Sequence, residues 1–326
     1  MNCETAGIEL SLLSEADYDH EMKTVVLPYL EIRKEDGYLF RNGNLFYCLY
    51  RADQPKGIVV FCHGYTESGR KFEEMIYYFL KAGLHCAILD ERGHGRSVRE
   101  GKDPEVIHVR HFSDYEEDLH DFVHKIVKTK WGNALPYYLF GHSMGGCIAA
   151  RYLERWPQDF EKAILNAPML GIRMEKCPLW AALLLCDFEL LTGRGGHRLF
   201  FQKPYQPGKT CDPENVLFNR HNYYRKLRDD DKTLQTTGAS YRWVREAVKA
   251  GKLARSEKEA GKITAKVLLF RAGEDTLVTS KAQDTFLNRI SDGELIIIAG
   301  ATHEIYRSCS KILEGYLKTI LAFFIT

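Results

Sequence analysis

A chain of 326 residues can bury a substantial core, and one large α/β domain carrying an insertion fits that length better than two equal domains. At 45% hydrophobic and 27% charged, its composition is that of a globular protein. The 45 basic and 44 acidic residues leave a net charge of +1, without the basic excess that a nucleic-acid partner requires.

Nine cysteines at irregular spacing, none in a CxxC pair, argue against a disulfide framework and against a zinc site. Reduced, mostly buried thiols and a cytoplasmic location are the expectation. The opening Met1-Asn2-Cys3-Glu4 lacks the basic start and apolar core of a signal peptide. The longest apolar stretch, Pro178–Leu191, is interrupted by Asp187 and Glu189 and is too short to span a bilayer, although it can lie against one.

In chain order, the first 35 residues carry no assignable role. Gly37–Phe40 and Leu45–Tyr50 then flank Arg41-Asn-Gly43 and predict a leading antiparallel hairpin. Gly57–Cys62 is a buried strand, and Phe72, Ile76, Phe79 and Leu80 mark one face of the helix after it. His85–Leu89 is the next strand. Ser113-Asp-Tyr-Glu116 reads as a capping box opening a helix that Tyr115, Leu119, Phe122 and Ile126 continue. Tyr137–Phe140 turns sharply into a helix near Gly145, and Ala163–Asn166, Val267–Phe270 and Glu294–Ala299 complete the strands. Their near-continuous apolar runs predict burial on both faces, as in a mostly parallel sheet flanked by helices. Residues 169–263 break the alternation with no clear strand and are read as a helical cap, inserted in a core made of 1–168 and 264–326.

The chemistry is concentrated in Gly141-His-Ser143-Met-Gly145, directly after a strand and before a helix. This is the G-x-S-x-G nucleophile elbow, whose tight turn forces Ser143 up at the strand's C-terminal end. A serine hydroxyl is a poor nucleophile at neutral pH and needs a base in contact, with a third group to orient that base. The required order is serine, acid, histidine, each on a loop after a later strand. Phe270-Arg-Ala-Gly-Glu-Asp275 and Ala299-Gly-Ala-Thr-His303 meet it. His303 is the expected base. Asp275 is preferred over its neighbour Glu274 because Gly273 opens the turn and Leu277-Val278 returns to the core. His142 is expected to support the elbow, and His94 to sit in a glycine-driven loop. An oxyanion needs two converging donors, for which Met144 N–H and Tyr65 N–H, in His63-Gly-Tyr65, are the choices.

The runs Cys62-His-Gly-Tyr-Thr-Glu-Ser68, Leu89-Asp-Glu-Arg-Gly-His-Gly-Arg-Ser97, Gly141-His-Ser-Met-Gly-Gly146 and Asn166-Ala-Pro-Met-Leu170 resemble the monoacylglycerol lipase and lysophospholipase group of α/β-hydrolases. Val109–Tyr115, Thr237–Arg245 and Gly300–Ile305 look closer still to bacterial lysophospholipases. The resemblance, from about Gly37 onward, implies an α/β-hydrolase fold with Ser143, Asp275 and His303 as triad and a cap over the site. It also implies a lipid or other carboxylic ester as substrate. No cofactor or metal is implied, because the glycine-rich turns match neither a dinucleotide fingerprint nor a phosphate loop.

Within the cap, Trp180, Leu183, Leu184, Phe188 and Leu191 share one helical face and suggest contact with acyl chains or a bilayer surface. Arg194, His197, Arg198, Lys203, Arg220, Arg225, Lys226 and Arg228 form a cation cluster suited to a phosphate, and a lysophospholipid carries one. Trp180, Leu184, Arg198 and Arg225 are therefore the expected substrate-binding residues. A monoacylglycerol lipase or general carboxylesterase would share the core, and a non-catalytic binding protein is the remaining alternative. The sequence sets no oligomeric state.

Overall fold

Residues of the predicted strands alternate between two packed layers, and eight strands join in one sheet in the computed structural model, which describes residues 10–173, 177–208 and 219–326. Met1–Glu4, Cys3 and Cys211 lie outside the described residues. The strands are β1 (Lys34–Phe40), β2 (Asn44–Tyr50), β3 (Gly57–Cys62), β4 (Leu84–Leu89), β5 (Tyr137–His142), β6 (Lys162–Asn166), β7 (Lys266–Ala272) and β8 (Gly293–Ile298). Their order is β1-β2-β4-β3-β5-β6-β7-β8. The hairpin β1–β2 and the pair β2–β4 are antiparallel, and the rest are parallel.

Period-two alternation builds two cores. Ile58, Val60 and Cys62 face one layer, with helix Met144–Arg155 and the helix that starts at Ser113. Val59 and Phe61 face the other, with helices Glu73–Lys81 and Ser310–Ile325. Phe61 packs on Phe72, Phe79 and Phe140 with ring centroids 5.3–5.9 Å apart, so truncating it to Ala would cost about 3–5 kcal/mol. The N-terminal segment belongs to this second core: Leu13, Tyr18, Met22, Val26 and Leu30 are buried in it, and Tyr18 Oη donates to Glu74 at 2.9 Å.

Three expectations need correction. Ser113 does not cap its helix: Phe112 holds that position in helical backbone, and Glu116 turns inward to Arg151 (3.3 Å) and Arg155 (3.0 Å). A buried carboxylate between two guanidiniums is bound more firmly than one bridging an exposed helix end. The strand β8 is not buried on both faces, because it pairs only with β7 at the sheet edge, and Ile297 is 56% exposed. The region 169–263 does contain a short strand: Gly238–Ala239 pairs in parallel with Val106–Ile107. Its described α-helices are Leu179–Leu191, Asn219–Asp230, Tyr241–Ala254 and the short Glu257–Ala260. No helix among the described residues is long and apolar enough to cross a membrane.

Candidate functional site

From β3 the chain passes to β4 on one side, while β5 lies on the other, so the sheet order reverses between β3 and β5. In open α/β sheets that switch point, at the strands' carboxyl ends, is where a ligand crevice forms. Register aligns those ends, with Cys62 beside Gly141, His142 beside Asn166 and Asn166 beside Phe270. The loops after β3, β5, β6 and β7 therefore converge.

Ser143 sits between β5 and helix Met144–Arg155 with φ 51° and ψ −113°. A non-glycine residue held there stores about 1–3 kcal/mol of backbone strain, which its surroundings must overcome. They do: Ser143 N–H donates to Asn166 O (3.0 Å), and Ser143 O accepts from Cys147 N (3.1 Å) and Met169 N (2.8 Å). The flanking glycines are obligatory. A Cβ on Gly145 would lie 2.1 Å from Cys62 O, and one on Gly141 would lie 2.5 Å from Gly145 O.

His303 Nδ1 lies 2.7 Å from Asp275 Oδ2, and both residues are largely buried. Asp275 Oδ1 accepts from the amides of Leu277 (2.8 Å) and Val278 (3.1 Å). Burial would raise the Asp275 carboxyl, but the His303 hydrogen bond and charge and these two amides hold it below the usual carboxylate range. The carboxylate against His303 is thus Asp275, while Glu274 is exposed and uses its amide on Ala301 O. The ring of His142, next to Ser143, is 5.0 Å from that of His303. Among the described residues, Ser143 Oγ makes no hydrogen bond to His303.

The amides of Tyr65 and Met144 make no hydrogen bond among the described residues, which leaves both donors available. The Tyr65 ring packs on Trp243 of helix Tyr241–Ala254 at 4.6 Å, so the inserted region rests on this loop. His63 fixes the loop from behind: Nε2 accepts from Glu91 N (2.8 Å), so Nδ1 is the donor to Gly64 O (2.8 Å). Burial pushes His142 down to about 4, so it is a neutral support and not a base near neutral pH. His94 is buried, with Nδ1 at 3.0 Å from Arg92 O.

Six of the eight expected cations have partners for their side chains, the exceptions among the described residues being His197 and Lys203. Arg198 is held by Asp103 (3.0 Å), Glu105 (3.1 Å) and Thr237 (2.9 Å), and Arg225 donates to Gln206 O (2.8 Å). Arg194 pairs with Glu189, Arg220 with Glu74, and Lys226 with Asp19, while Arg228 donates to Leu234 O and Thr236 O. Guanidiniums held by carboxylates, as Arg194, Arg198 and Arg220 are, or by two carbonyls, as Arg228 is, have little left for a phosphate. Arg173, which the sequence reading missed, is exposed and donates to Asp275 O at 3.1 Å. Its position after β6 was the only available signal. Trp180 and Leu184 are 67% and 62% exposed, on the outer face of their helix.

The one metal-compatible cluster among the described residues is His120, His124 and Asp159. Asp159 there already accepts from Lys128 (2.7 Å), Tyr152 (2.7 Å) and His124 (3.0 Å), so its charge is answered by protein groups.

Comparison with known proteins bears on the family and the fold. The family described as serine aminopeptidase, S33, matches residues 53–309. Lysophospholipase L2 of Escherichia coli K12 is 32% identical over 290 residues, which covers 84% of this chain and 82% of that protein. A probable lysophospholipase L2 of Haemophilus influenzae is 25% identical over 90% of this chain and 93% of its own length. A soluble variant of monoglyceride lipase from Saccharomyces cerevisiae, solved with a substrate analogue, superposes with a TM-score of 0.71 at 20% identity, covering 89% of this chain and 94% of that one. The chain therefore belongs to this serine hydrolase family, and it has the α/β-hydrolase fold.

Proposed function

We propose that the protein hydrolyses the acyl ester of a lysophospholipid through an acyl-enzyme on Ser143, releasing a fatty acid and a glycerophospho-alcohol. The observation that carries the reaction class is the 2.7 Å His303–Asp275 contact beside a serine held at positive φ. Ser143 Oγ attacks the ester carbonyl and its proton passes to His303 Nε2, a contact that tightens when substrate docks. Asp275, ionised, accepts from Nδ1–H, fixes the tautomer and stabilises the imidazolium. The amides of Tyr65 and Met144 receive the oxyanion. Collapse expels the alcohol, which takes the proton from His303, and water then repeats the sequence to free the acid.

The head group rests on two supports. One is the likeness to a lysophospholipase over most of both chains. The other is Arg173, an exposed guanidinium after β6 that donates to the acid loop from Nη1 and keeps Nε and Nη2 without a protein partner among the described residues, where a phosphate would meet them with two parallel hydrogen bonds. The apolar face of helix Leu179–Leu191 would bring the enzyme to a lipid surface, since Trp180, Leu184, Phe188 and Leu191 are all more than half exposed. The test matches the acyl chain and varies the head. Lysophosphatidylethanolamine and lysophosphatidylcholine should exceed the monoacylglycerol in kcat/KM by about ten-fold or more, and Arg173→Ala should remove most of that margin. Equal turnover of monoacylglycerol would make the protein a monoacylglycerol lipase or a general carboxylesterase.

A further inference from the structure

Three segments must hold their relative positions for this chemistry: the loop after β3 with the Tyr65 amide, the elbow, and the loop of His303. One buried carboxylate touches all three. Glu67, 4% exposed, accepts the Gly64 amide on Oε2 at 2.7 Å, which fixes the His63–Gly64 peptide, one step before the peptide that carries the Tyr65 N–H. Its Oε1 accepts Tyr306 Oη (3.0 Å) and Lys71 Nζ (2.7 Å), and His142 Nε2 faces it at 3.5 Å. Lys71 also donates to Glu304 (2.6 Å), the residue after His303. The Tyr306 ring lies 5.0 Å from His142 and stacks on Phe72 at 4.8 Å. His142 Nδ1 in turn accepts from Asn166 Nδ2 (2.8 Å), and Tyr316 donates to Asn166 Oδ1 (2.8 Å).

Such a group is costly to bury and stays charged only if its partners hold it. Burial would raise the Glu67 carboxyl, yet Lys71 and His142 keep it below the ordinary range. Stability alone does not require this placement. A structural ion pair needs one partner, whereas Glu67 divides its two oxygens between the backbone of one reacting loop and side chains of the other two segments.

We propose that Glu67 is a positioning residue that sets the Tyr65 amide and His303 in register with Ser143, without itself meeting the substrate. The proposal rests on the triad reading above. A displacement of about 1 Å in a reacting group costs on the order of 100-fold in rate, so the effect falls on kcat. Glu67→Leu should lower kcat for p-nitrophenyl butyrate by about 100-fold, and Glu67→Gln, which keeps an acceptor for Gly64 N–H, by about ten-fold, with KM within two-fold. Affinity for a trifluoromethyl ketone, which mimics the tetrahedral intermediate, should fall in parallel with kcat/KM. Tyr306→Phe removes a single hydrogen bond, leaves no buried charge unpaired and should lower kcat several-fold in a folded protein.

Rates of the Glu67 and Tyr306 variants are taken per active site titrated with a fluorophosphonate, so loss of folded protein does not count, and the rate of Ser143→Ala is taken per mole of folded protein. If Glu67→Gln and Tyr306→Phe keep kcat within two-fold of wild type, or lose only KM, Glu67 is merely structural and the proposal fails. If the Glu67 variants do not fold, the Tyr306→Phe result decides alone. Ser143→Ala run alongside separates the two readings: an inactive Ser143→Ala with undiminished Glu67 variants overturns the positioning role and leaves the triad standing.

Discussion

Two adjacent carboxylates, Glu274 and Asp275, differ in what their side chains can reach. Asp275 contacts His303 and is itself held by two amides, while Glu274 points to solvent. Asp275→Asn should therefore cut kcat by about 10⁴, since an amide favours the wrong imidazole tautomer, and Glu274→Gln should change it by less than about three-fold. Steady-state kinetics on any soluble ester checks this, and equal losses would move the orienting role elsewhere. The elbow was legible because its glycines answer a local steric demand, with a Cβ at Gly145 meeting Cys62 O. The Asp275–His303 contact was legible because the fold dictates the chain order of the loops that bring the two residues together. Glu67 was not legible. Its importance depends on Tyr306, 239 residues away, and no spacing in the sequence announces such a contact.

At the level of elements, the strands were the clearest part of the sequence, because burial on two faces writes an unbroken apolar run. The run in β8 misled, since apolar content does not distinguish an edge strand from a central one. The residues of the capping box were identified but their partners were not: Glu116 found two arginines on a neighbouring helix, a tertiary contact that outweighs a local one. Part of the cation cluster is engaged for the same reason, Arg198 being answered by Asp103 and Glu105 and Arg220 by Glu74. Helix Leu179–Leu191 kept its exposed apolar face, and Phe200 and Phe201 add to the apolar surface nearby in the chain, at 77% and 62% exposure. Flotation with vesicles of phosphatidylethanolamine and phosphatidylglycerol should carry the wild-type protein to the lipid fraction. The pair Trp180→Ser with Leu184→Ser should leave it at the bottom. Equal flotation of both proteins, or none of either, would assign that face another role.

Across the whole molecule, buried neutral histidines make stability depend on pH. Burial pushes His85 and His142 down to about 4. His85 Nδ1 accepts the Ala52 amide at 2.9 Å and its ring stacks on Trp131. Unfolded, each would titrate near 6.5. Because the folded values are lower, the unfolded chain binds protons first as pH falls. The stability these residues allow is intact above about 6.5 and is lost progressively toward 4, by up to about 3 kcal/mol each. The depressed carboxylates Asp275, Glu67 and Glu304 add losses below the ordinary carboxylate range. Urea midpoints should drop steadily from pH 7 to pH 5, and His85→Gln, which keeps an acceptor for Ala52 N–H, should flatten the slope. A midpoint independent of pH over that interval would mean that these imidazoles protonate without opening the fold.

The central claim is that the hydrolase acts through Ser143, and covalent labelling addresses it most directly. Purified protein treated with a fluorophosphonate should gain one adduct by intact mass, with peptide mapping placing it on Ser143. Ester turnover should vanish in proportion to labelling. Ser143→Ala should take up no label and fall by about 10⁴ or more in kcat, with an unchanged circular dichroism spectrum. An adduct on another serine, or a Ser143→Ala protein that keeps a tenth of wild-type turnover, would contradict the account.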